Sequence, residues 1–410
     1  MGLTDLELLA PAGDMERLVS AVKYGADAVY LAGKSFGMRA APQNFGEQEL
    51  REAVSYCHEN NVKVYVTCNT LPRNGELAEL PDFLTYCGEI GVDAFIISDL
   101  GVLQLAKKYA PQVERHVSTQ TGIVNYAAAN ACYELGASRV VLAREVPLQE
   151  IRGIRDNTPG ELELEAFVHG AMCVSFSGRC LLSNYMTGRD ANRGQCAQPC
   201  RWEYFLTEKE RPDRHFTILQ EEQGTYIFNS NDLRMIEHIP EMAAAGVTSL
   251  KIEGRAKSAY YVASVTSAYR QAIDFFRANP GKPLPPEILE ETEKISHRTY
   301  SHGFYFGGEP GQTPDRSQYI RKYELAAVCE GRQGEYVKLR QRNRFFRGET
   351  ADILQPGKRA FTAPLGELFN EDWEPIEAAP HAEMAVYWKT DVQVEEGAFL
   401  RIRRDREVSL

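Results

Sequence analysis

The sequence predicts an α/β fold in which a (β/α)8 barrel is followed by a small C-terminal β-barrel-like domain. Over the first 300 residues, short apolar runs rich in Val, Ile and Leu alternate with longer amphipathic segments, which is typical of parallel strands joined by helices. Eight such units can be counted, as many as a TIM barrel has. The first strand is followed by PAGD rather than by the GxGxxG turn of an open dinucleotide-binding sheet, which favours the closed barrel.

Each barrel element is predicted from its own pattern. Apolar runs such as DAVYL and VKVYVT predict strands at 6–9, 27–31, 62–67, 93–97, 115–119, 138–142, 162–168 and 248–252. Amphipathic segments at 15–25, 47–61, 80–91, 125–136 and 233–246 predict helices, and several end at the glycine that favours a helix C-terminus. The helix after strand seven is expected to begin near Leu233.

The domain boundaries follow from changes in composition. We expect the barrel to occupy residues 1–305, with an insertion at 169–232 that is too long for an ordinary loop and therefore functional. A loop-rich linker is expected at 306–322. From Tyr323 the apolar residues alternate, as in GEYVKLRQRN and AFLRIRR, which predicts an antiparallel β-domain over 323–410.

Composition limits the function. The net charge is −11, so the protein does not coat nucleic acid by bulk electrostatics, and any RNA contact must be a local patch. The candidate patch combines the arginines of RNRFFRG at 342–348 with RIRR at 401–404. No apolar run approaches the roughly 20 residues of a membrane span. The opening MGLTDLELLAPAG lacks the features of a secretory leader, so we expect a cytoplasmic protein with no membrane partner.

Four cysteines predict a metal site. Cys173, Cys180, Cys196 and Cys200 fall within 28 residues, separated by six, fifteen and three positions. A cytoplasmic setting disfavours disulfides. The spacing lacks the two CxxC knuckles of a zinc ribbon, and it leaves an iron–sulfur cluster and a structural zinc both open. The other five cysteines fall in apolar patterns and are predicted to be buried as small hydrophobic residues: Cys57, Cys68, Cys87, Cys132 and Cys329.

Polar residues follow the predicted strands at the end of the barrel where TIM-barrel chemistry takes place. They are Arg39, Asn69, Ser98, Asp99, Ser118, Gln120, Arg144, Glu145, His169, Glu253 and Arg255. We take His169, Asp99 and Glu253 as candidate catalytic residues. The alternative is structural, because Asp often caps a helix and a histidine that closes a core strand is often only packed.

The stretch EAFVHGAMCVSFSGRCLLS, from Glu165 to Ser183, resembles the signature of the U32 family of collagenase-like peptidases. ELLAPAG, HVSTQ, NRGQCAQPCR, NSNDL, LKIEGR and SHRTYSHGFYFG extend the resemblance over the barrel and linker. The β-domain is similar to that of the longer members. Despite the name, similar members are implied to be oxygen-independent hydroxylases that carry a [4Fe-4S] cluster and use prephenate as co-substrate.

The resemblance carries specific implications for this chain. The four cysteines become the cluster ligands, and the tRNA anticodon loop, hydroxylated at its wobble uridine to 5-hydroxyuridine, becomes the substrate. Some quinone-pathway relatives have a ligand cysteine after NSNDL, where this chain has Arg234, which favours the RNA-modifying branch. The dianionic prephenate is expected to meet the cationic side chains of Arg39, Arg144, Lys251 and Arg255.

Other functions stay open. A ribosomal RNA cytidine is an alternative substrate, and some members act in pairs, which leaves a partner chain of the same family open. A peptidase is disfavoured by the lack of GxSxG and HExxH motifs. A zinc-bearing scaffold protein is the third alternative.

Overall fold

The structure is a computed structural model. It describes residues 3, 6–34, 44–173, 175–176, 179–191, 195–204, 206–208, 211–216, 225–226, 230–308, 311 and 319–404. Among these, no helix has the length and apolar character needed to cross a bilayer.

The barrel is confirmed. The strands of the N-terminal part are β1 (Glu7–Pro11), β2 (Ala28–Leu31), β3 (Lys63–Cys68), β4 (Ala94–Ile97), β5 (Glu114–Val117), β6 (Arg139–Val141), β7 (Glu163–Ala171), β8 (Glu203–Tyr204), β9 (Leu206–Glu208), β10 (Arg211–Phe216), β11 (Thr225–Tyr226), β12 (Asp232–Arg234), β13 (Ser249–Ile252) and β14 (Tyr300–Ser301). Strands β1 to β7 and β13 are parallel, and β13 pairs with both β7 and β1, which closes the ring. All the predicted barrel strands overlap these strands.

Helices cover the outside of the ring. The helices of the described residues are α1 (Met15–Lys23), α2 (Glu47–Glu59), α3 (Leu80–Glu89), α4 (Leu100–Tyr109), α5 (Tyr126–Glu134), α6 (Leu148–Asp156), α7 (Leu182–Thr187), α8 (Ile239–Ala244), α9 (Ala259–Ala278) and α10 (Pro286–Glu291), of which α7 lies in the insertion after β7. Asp14, Asp99, Asn125 and Ser258 begin four of them, and each side chain accepts a hydrogen bond from the backbone N–H three residues on. Such caps satisfy N–H groups that the helix itself leaves unpaired.

The end of the long insertion differs from the prediction. Leu233, where a helix was expected to begin, lies in β12, which pairs antiparallel with the end of β7. Helix α8 begins only at Ile239, after a 3-10 turn at Ile236–His238. Leu233 and Met235 are both buried. The sequence could not tell a strand from a helix start here, because apolar residues two positions apart suit both.

The C-terminal domain is a curled antiparallel sheet. Its strands are β15 (Tyr323–Gln333), β16 (Tyr336–Gln341), β17 (Phe345–Phe346), β18 (Thr350–Leu354), β19 (Phe361–Pro364), β20 (Leu368–Phe369), β21 (Pro375–Ile376), β22 (Ala378–Ala379), β23 (Ala385–Lys389) and β24 (Phe399–Arg403). The main sheet has the order β19-β18-β24-β15-β16-β23-β20-β21. Trp388 and Phe345 lie in its core.

A buried ion network joins this domain to the barrel. Arg401 in β24 is fully buried and donates to both carboxylate oxygens of Glu291 in α10, at 2.8 and 2.7 Å, and to Asp352 in β18 at 2.9 Å. Lys294 bonds to the same two carboxylates at 2.7 Å each. The prediction that the strand at 401–404 belongs to an RNA-binding edge is therefore wrong for Arg401, because its charge is enclosed between the domains.

A second ion network fills the barrel interior near the N-terminal ends of the strands. Arg139 pairs with Glu7 at 2.6 Å and with Glu165 at 3.1 Å. Lys251 pairs with Glu165 at 2.6 Å, and the Tyr65 hydroxyl donates to Glu7 at 2.5 Å. Such a network stabilises the fold only while all its members are present, because each charge would otherwise be buried without a partner.

Stability at low pH should therefore depend on Glu7. Burial raises the pKa of this carboxyl, but the charge of Arg139 and hydrogen bonds from Arg139, Tyr65 and Ser249 outweigh burial and lower the pKa to about 2. The ionised group therefore stabilises the fold above its ordinary pKa of 4.5, and this contribution is lost as the pH falls through the lower value. Its size should be about 3 kcal/mol.

Thermal unfolding over a pH series checks this expectation. The melting temperature of the parent should fall between pH 4.5 and about 2 more steeply than that of Glu7→Gln. Glu52→Gln, on the exposed face of α2, is the control and should follow the parent. Parallel curves for the parent and Glu7→Gln would contradict the assignment.

Candidate active site at the barrel mouth

The loop after β13 is fitted closely into the C-terminal end of the barrel, here called the barrel mouth. A Cβ at Gly13 would lie 2.3 Å from the Arg255 carbonyl oxygen, and one at Gly170 would lie 2.5 Å from the Glu253 carbonyl oxygen. Gly170 also has φ +107°, a conformation that disfavours other residues. Glycine at both positions therefore lets the loop that carries Glu253 and Arg255 sit between β1 and β7.

Arg144 connects this loop with the first cysteine. Its guanidinium lies 3.3 Å from a Glu253 carboxylate oxygen and 3.9 Å from the centroid of the Phe167 ring. Burial raises the pKa of the Cys173 thiol, and the positive charge of Arg144 acts against that rise. The structure thus brings together three predicted site residues: Arg144, Glu253 and Cys173.

The other predicted anion-binding residues lie in different surroundings. Arg255 is buried and donates to the Thr67 hydroxyl at 2.9 Å, so its side chain reaches from β13 toward the end of β3. Lys251 is engaged in the interior network through Glu165, with its ammonium 4.7 Å from the Tyr30 ring centroid. Arg39 lies outside the described residues. The mouth therefore presents Arg144 and Arg255.

The three predicted catalytic residues have different surroundings, although the backbone N–H of Glu253 donates to the His169 carbonyl oxygen at 2.9 Å. Asp99 caps α4 and accepts from the Val102 N–H at 3.0 Å. His169 is buried among the rings of Tyr261, Tyr269 and Tyr300, with centroid distances of 5.4 to 6.1 Å. Burial, more than the nearby cations, holds its pKa well below the usual value. These contacts give a proton-transfer role for His169 no support, and that role stays a prediction.

The cysteines lie on one segment beside the mouth, residues 173–202, which we call the cysteine segment. Cys173 lies two residues after the end of β7 and is partly buried, and Cys180 is buried. The hydroxyl of the fully buried Ser183 in α7 accepts a hydrogen bond from the Ala197 N–H at 3.0 Å. This bond ties the stretch that carries Cys196 and Cys200 to the helix that follows Cys180.

The thiol chemistry fits a cluster ligand set. Burial raises the pKa of Cys173, and the thiols of Cys180 and Cys196 raise it further, so both of these sulfurs lie within electrostatic range of Cys173. A metal centre would bind these sulfurs as thiolates and supply the positive charge that stabilises them. Across the described ranges, no three metal-ligating side chains already enclose one point. The set of four cysteine ligands therefore stays a prediction, with which the thiol donors are compatible.

The remaining cysteine predictions can be judged directly. Cys57, Cys68, Cys87, Cys132 and Cys329 are all buried, as expected. None of the nine cysteines, all of which the structure describes, forms a disulfide.

Two features of the site were missed from the sequence. The interior network was not anticipated, although Glu7 and Arg139 each begin a barrel strand, where an inward charge needs a partner. The contact of Arg144 with Phe167 could not be predicted from the sequence. Arg144 follows β6 and Phe167 lies in β7, and which side chains of neighbouring strands meet depends on the strand register.

Comparisons with known proteins agree with the sequence resemblance. The model described as Peptidase family U32 matches residues 13–314, and that described as Peptidase family U32 C-terminal domain matches residues 321–401. The chain is 38% identical over 401 residues to tRNA hydroxylation protein P1 of Bacillus subtilis (strain 168), covering 96% of this chain and 94% of that protein. It is 35% identical to tRNA hydroxylation protein P of Escherichia coli (strain K12), covering 91% of each. It is 34% identical to a collagenase of Porphyromonas gingivalis (strain ATCC BAA-308 / W83), covering 77% of each.

Proposed function

Because the chain belongs to peptidase family U32, we propose that it is a tRNA-modifying enzyme that hydroxylates the wobble uridine to 5-hydroxyuridine. The proposed reaction is oxygen-independent and uses a [4Fe-4S] cluster with prephenate as co-substrate. The observation that carries the proposal is the similarity to two tRNA hydroxylation proteins over at least 91% of this chain. That similarity spans the barrel, the cysteine segment and most of the C-terminal domain.

The cluster would be held by Cys173, Cys180, Cys196 and Cys200. When bound, such a cluster supplies electron transfer to a substrate beside it. The chain itself contributes position and charge. Ser183 holds the second half of the cysteine segment against α7, and Arg144 places a positive charge near Cys173.

Prephenate would bind at the mouth through its carboxylates. Arg144 and Arg255 supply the guanidinium groups, which suit carboxylates because two parallel N–H donors can face two oxygens. Glu253 already accepts from Arg144, so the incoming carboxylate would share or displace that contact. Of the predicted catalytic residues, Glu253 is the one whose place at the mouth supports proton transfer.

Replacing either mouth arginine with lysine should weaken prephenate binding. Lysine keeps the charge but loses the paired donors, and one hydrogen bond to a charged group contributes about 1.5–3 kcal/mol. We therefore expect the Kd for prephenate to rise about tenfold or more in Arg144→Lys and Arg255→Lys. Arg51→Lys on α2, where the guanidinium lies 5.6 Å from the Tyr86 ring centroid, is the control. Calorimetric titration measures all three, and unchanged affinity in both mouth variants would remove these residues from the site.

Nucleoside mass spectrometry of RNA from cells with and without this protein tests the proposed function. Loss of 5-hydroxyuridine and its derivatives from tRNA, restored by the parent gene, is the expected result. Loss of a hydroxycytidine from ribosomal RNA instead would favour the alternative substrate.

The protein-level alternatives have their own readouts. Anaerobic purification should give a brown protein with iron and sulfide, whereas a colourless protein with stoichiometric zinc would favour a scaffold. Cleavage of collagen by the protein, abolished by a single substitution at the mouth, would favour the peptidase that the family name and one relative suggest.

A further inference from the structure

Large apolar side chains are exposed along the cysteine segment. They are Phe176 (53% exposed), Leu181 (60%), Tyr185 (82%), Met186 (48%) and Trp202 (43%). Scattered exposed apolar residues are ordinary, but a concentration on one short segment marks a surface that binds something.

This segment is fixed at the rim of the barrel mouth. The Arg179 side chain donates to the Gln120 carbonyl oxygen at 2.5 Å, in the loop that follows β5. A Cβ at Gly122 in the same loop would lie 3.9 Å from the Phe176 ring. The loop continues to Tyr126, which is itself half exposed. The rings of Phe176 and Tyr126 therefore lie where a substrate would approach the mouth, and Tyr185 and Trp202 are exposed further along the same segment.

The charge of the segment selects the partner. Residues 173–202 contain four arginines and one aspartate in a chain of net charge −11. An excess of arginine among exposed aromatic rings suits a polyanion with flat bases, and single-stranded RNA stacks its bases on such rings.

We propose that an aromatic rim formed by Tyr126, Phe176, Tyr185 and Trp202 stacks the unpaired bases that flank the target nucleotide. The inference rests on the proposed function and specifies how that site binds its RNA. The rim recognises a single-stranded loop, and a described arginine of the segment such as the exposed Arg189 contacts the phosphates. Base stacking beside the mouth would hold the loop open while one nucleotide enters the barrel.

The C-terminal domain offers a weaker surface for RNA. Two of its arginines at 342–347 are paired with carboxylates, Arg342 with Glu383 and Arg347 with Glu377, and Arg344 lies over the Phe346 ring. Its exposed Trp373 packs on Tyr336 and Tyr387, in a turn whose sequence is EDWE. That ring has acidic sequence neighbours and serves as the matched control.

Fluorescence anisotropy with two labelled RNAs tests the rim. One RNA is a hairpin with a single-stranded, uridine-containing loop, and the other is a blunt duplex of equal length. Tyr185→Ala should bind the hairpin about tenfold more weakly, as the loss of one stacked base implies. The triple variant with Phe176→Ala and Trp202→Ala should lose more. Tyr185→Phe and Trp373→Ala should match the parent, and duplex binding should not change in any variant.

Three results would overturn the rim. Parent-like hairpin affinity in the triple variant is the first, and an equal loss for hairpin and duplex is the second. The third is a parent that self-associates in solution while the triple variant is monomeric and binds RNA normally, which would make the surface a protein interface. Iron content of each variant, equal to that of the parent, confirms that the cysteine segment is intact.

Hydroxylation by the parent, measured in parallel, separates this inference from the proposed function. If the parent forms 5-hydroxyuridine in tRNA and the triple variant binds the hairpin like the parent, the rim alone fails. If the parent neither binds nor modifies tRNA, the proposed function is wrong, and the RNA-binding role of the rim is wrong as well.

Discussion

Replacing any one of Cys173, Cys180, Cys196 and Cys200 with alanine is expected to abolish both cluster binding and tRNA hydroxylation. Four thiolates hold a [4Fe-4S] cluster, and three leave one iron without its protein ligand. In the proposed reaction electrons pass through the cluster, so the activity should fall to background rather than decrease in proportion. Iron and sulfide content, with the visible absorption of anaerobically reconstituted protein, measures the first effect.

The chain contains its own controls for this experiment. Cys57 and Cys132 are buried in helices α2 and α5 and do not belong to the cysteine segment, so their alanine variants should retain full iron. Full iron occupancy in Cys200→Ala would contradict the assignment of Cys200 as a cluster ligand. Equal iron loss in Cys57→Ala would show that the measurement reports misfolding instead of ligation.

Arg401→Leu should destabilise the protein by about 3–5 kcal/mol, because it leaves the buried carboxylates of Glu291 and Asp352 without their main cation. Burial disfavours the charge of Arg401, but Tyr260, Glu291 and Asp352 together raise its pKa above the ordinary value. The guanidinium is therefore charged at every accessible pH. Since the network joins α10 to β18 and β24, its loss should loosen the C-terminal domain from the barrel.

Arg403→Leu is the matched control, because it lies two residues further along the same strand and is exposed. Urea denaturation of both variants gives the comparison, and Arg403→Leu should change the free energy of unfolding by less than about 0.5 kcal/mol. Equal stability of the two variants would contradict the interface assignment. Limited proteolysis near the start of β15 should cut Arg401→Leu faster than the parent.

The fold could be predicted in detail because its signals are local. The strand at 248–252 and the cap Asp99 are each visible in a few neighbouring residues, and the structure places both as the patterns indicate. Counting the strand–helix units was then enough to predict the closed barrel.

The side-chain positions could not be predicted in the same way, because they depend on register. Between Phe167 and His169 the pairing of β7 with β13 shifts by one residue. His169 consequently packs among tyrosines such as Tyr269 in α9, although a regular alternation would direct it with Phe167 toward the interior. A bulge of this kind has no signature in the sequence apart from Gly170.

The sequence also could not indicate which charged side chains are buried. Arg401 and Arg403 lie two positions apart in the same RIRR run, yet one is enclosed between two domains and the other is exposed. Which arginine faces inward is decided by Glu291, more than one hundred residues away in the chain. The predicted RNA edge failed at that residue for this reason.

The most direct test of the central claim is a reaction of purified, reconstituted protein with a tRNA transcript and prephenate in the absence of oxygen. The proposal predicts 5-hydroxyuridine at the wobble position, dependent on prephenate and absent with Cys173→Ala. Iron-loaded protein that binds tRNA and prephenate but leaves the wobble uridine unmodified would contradict it.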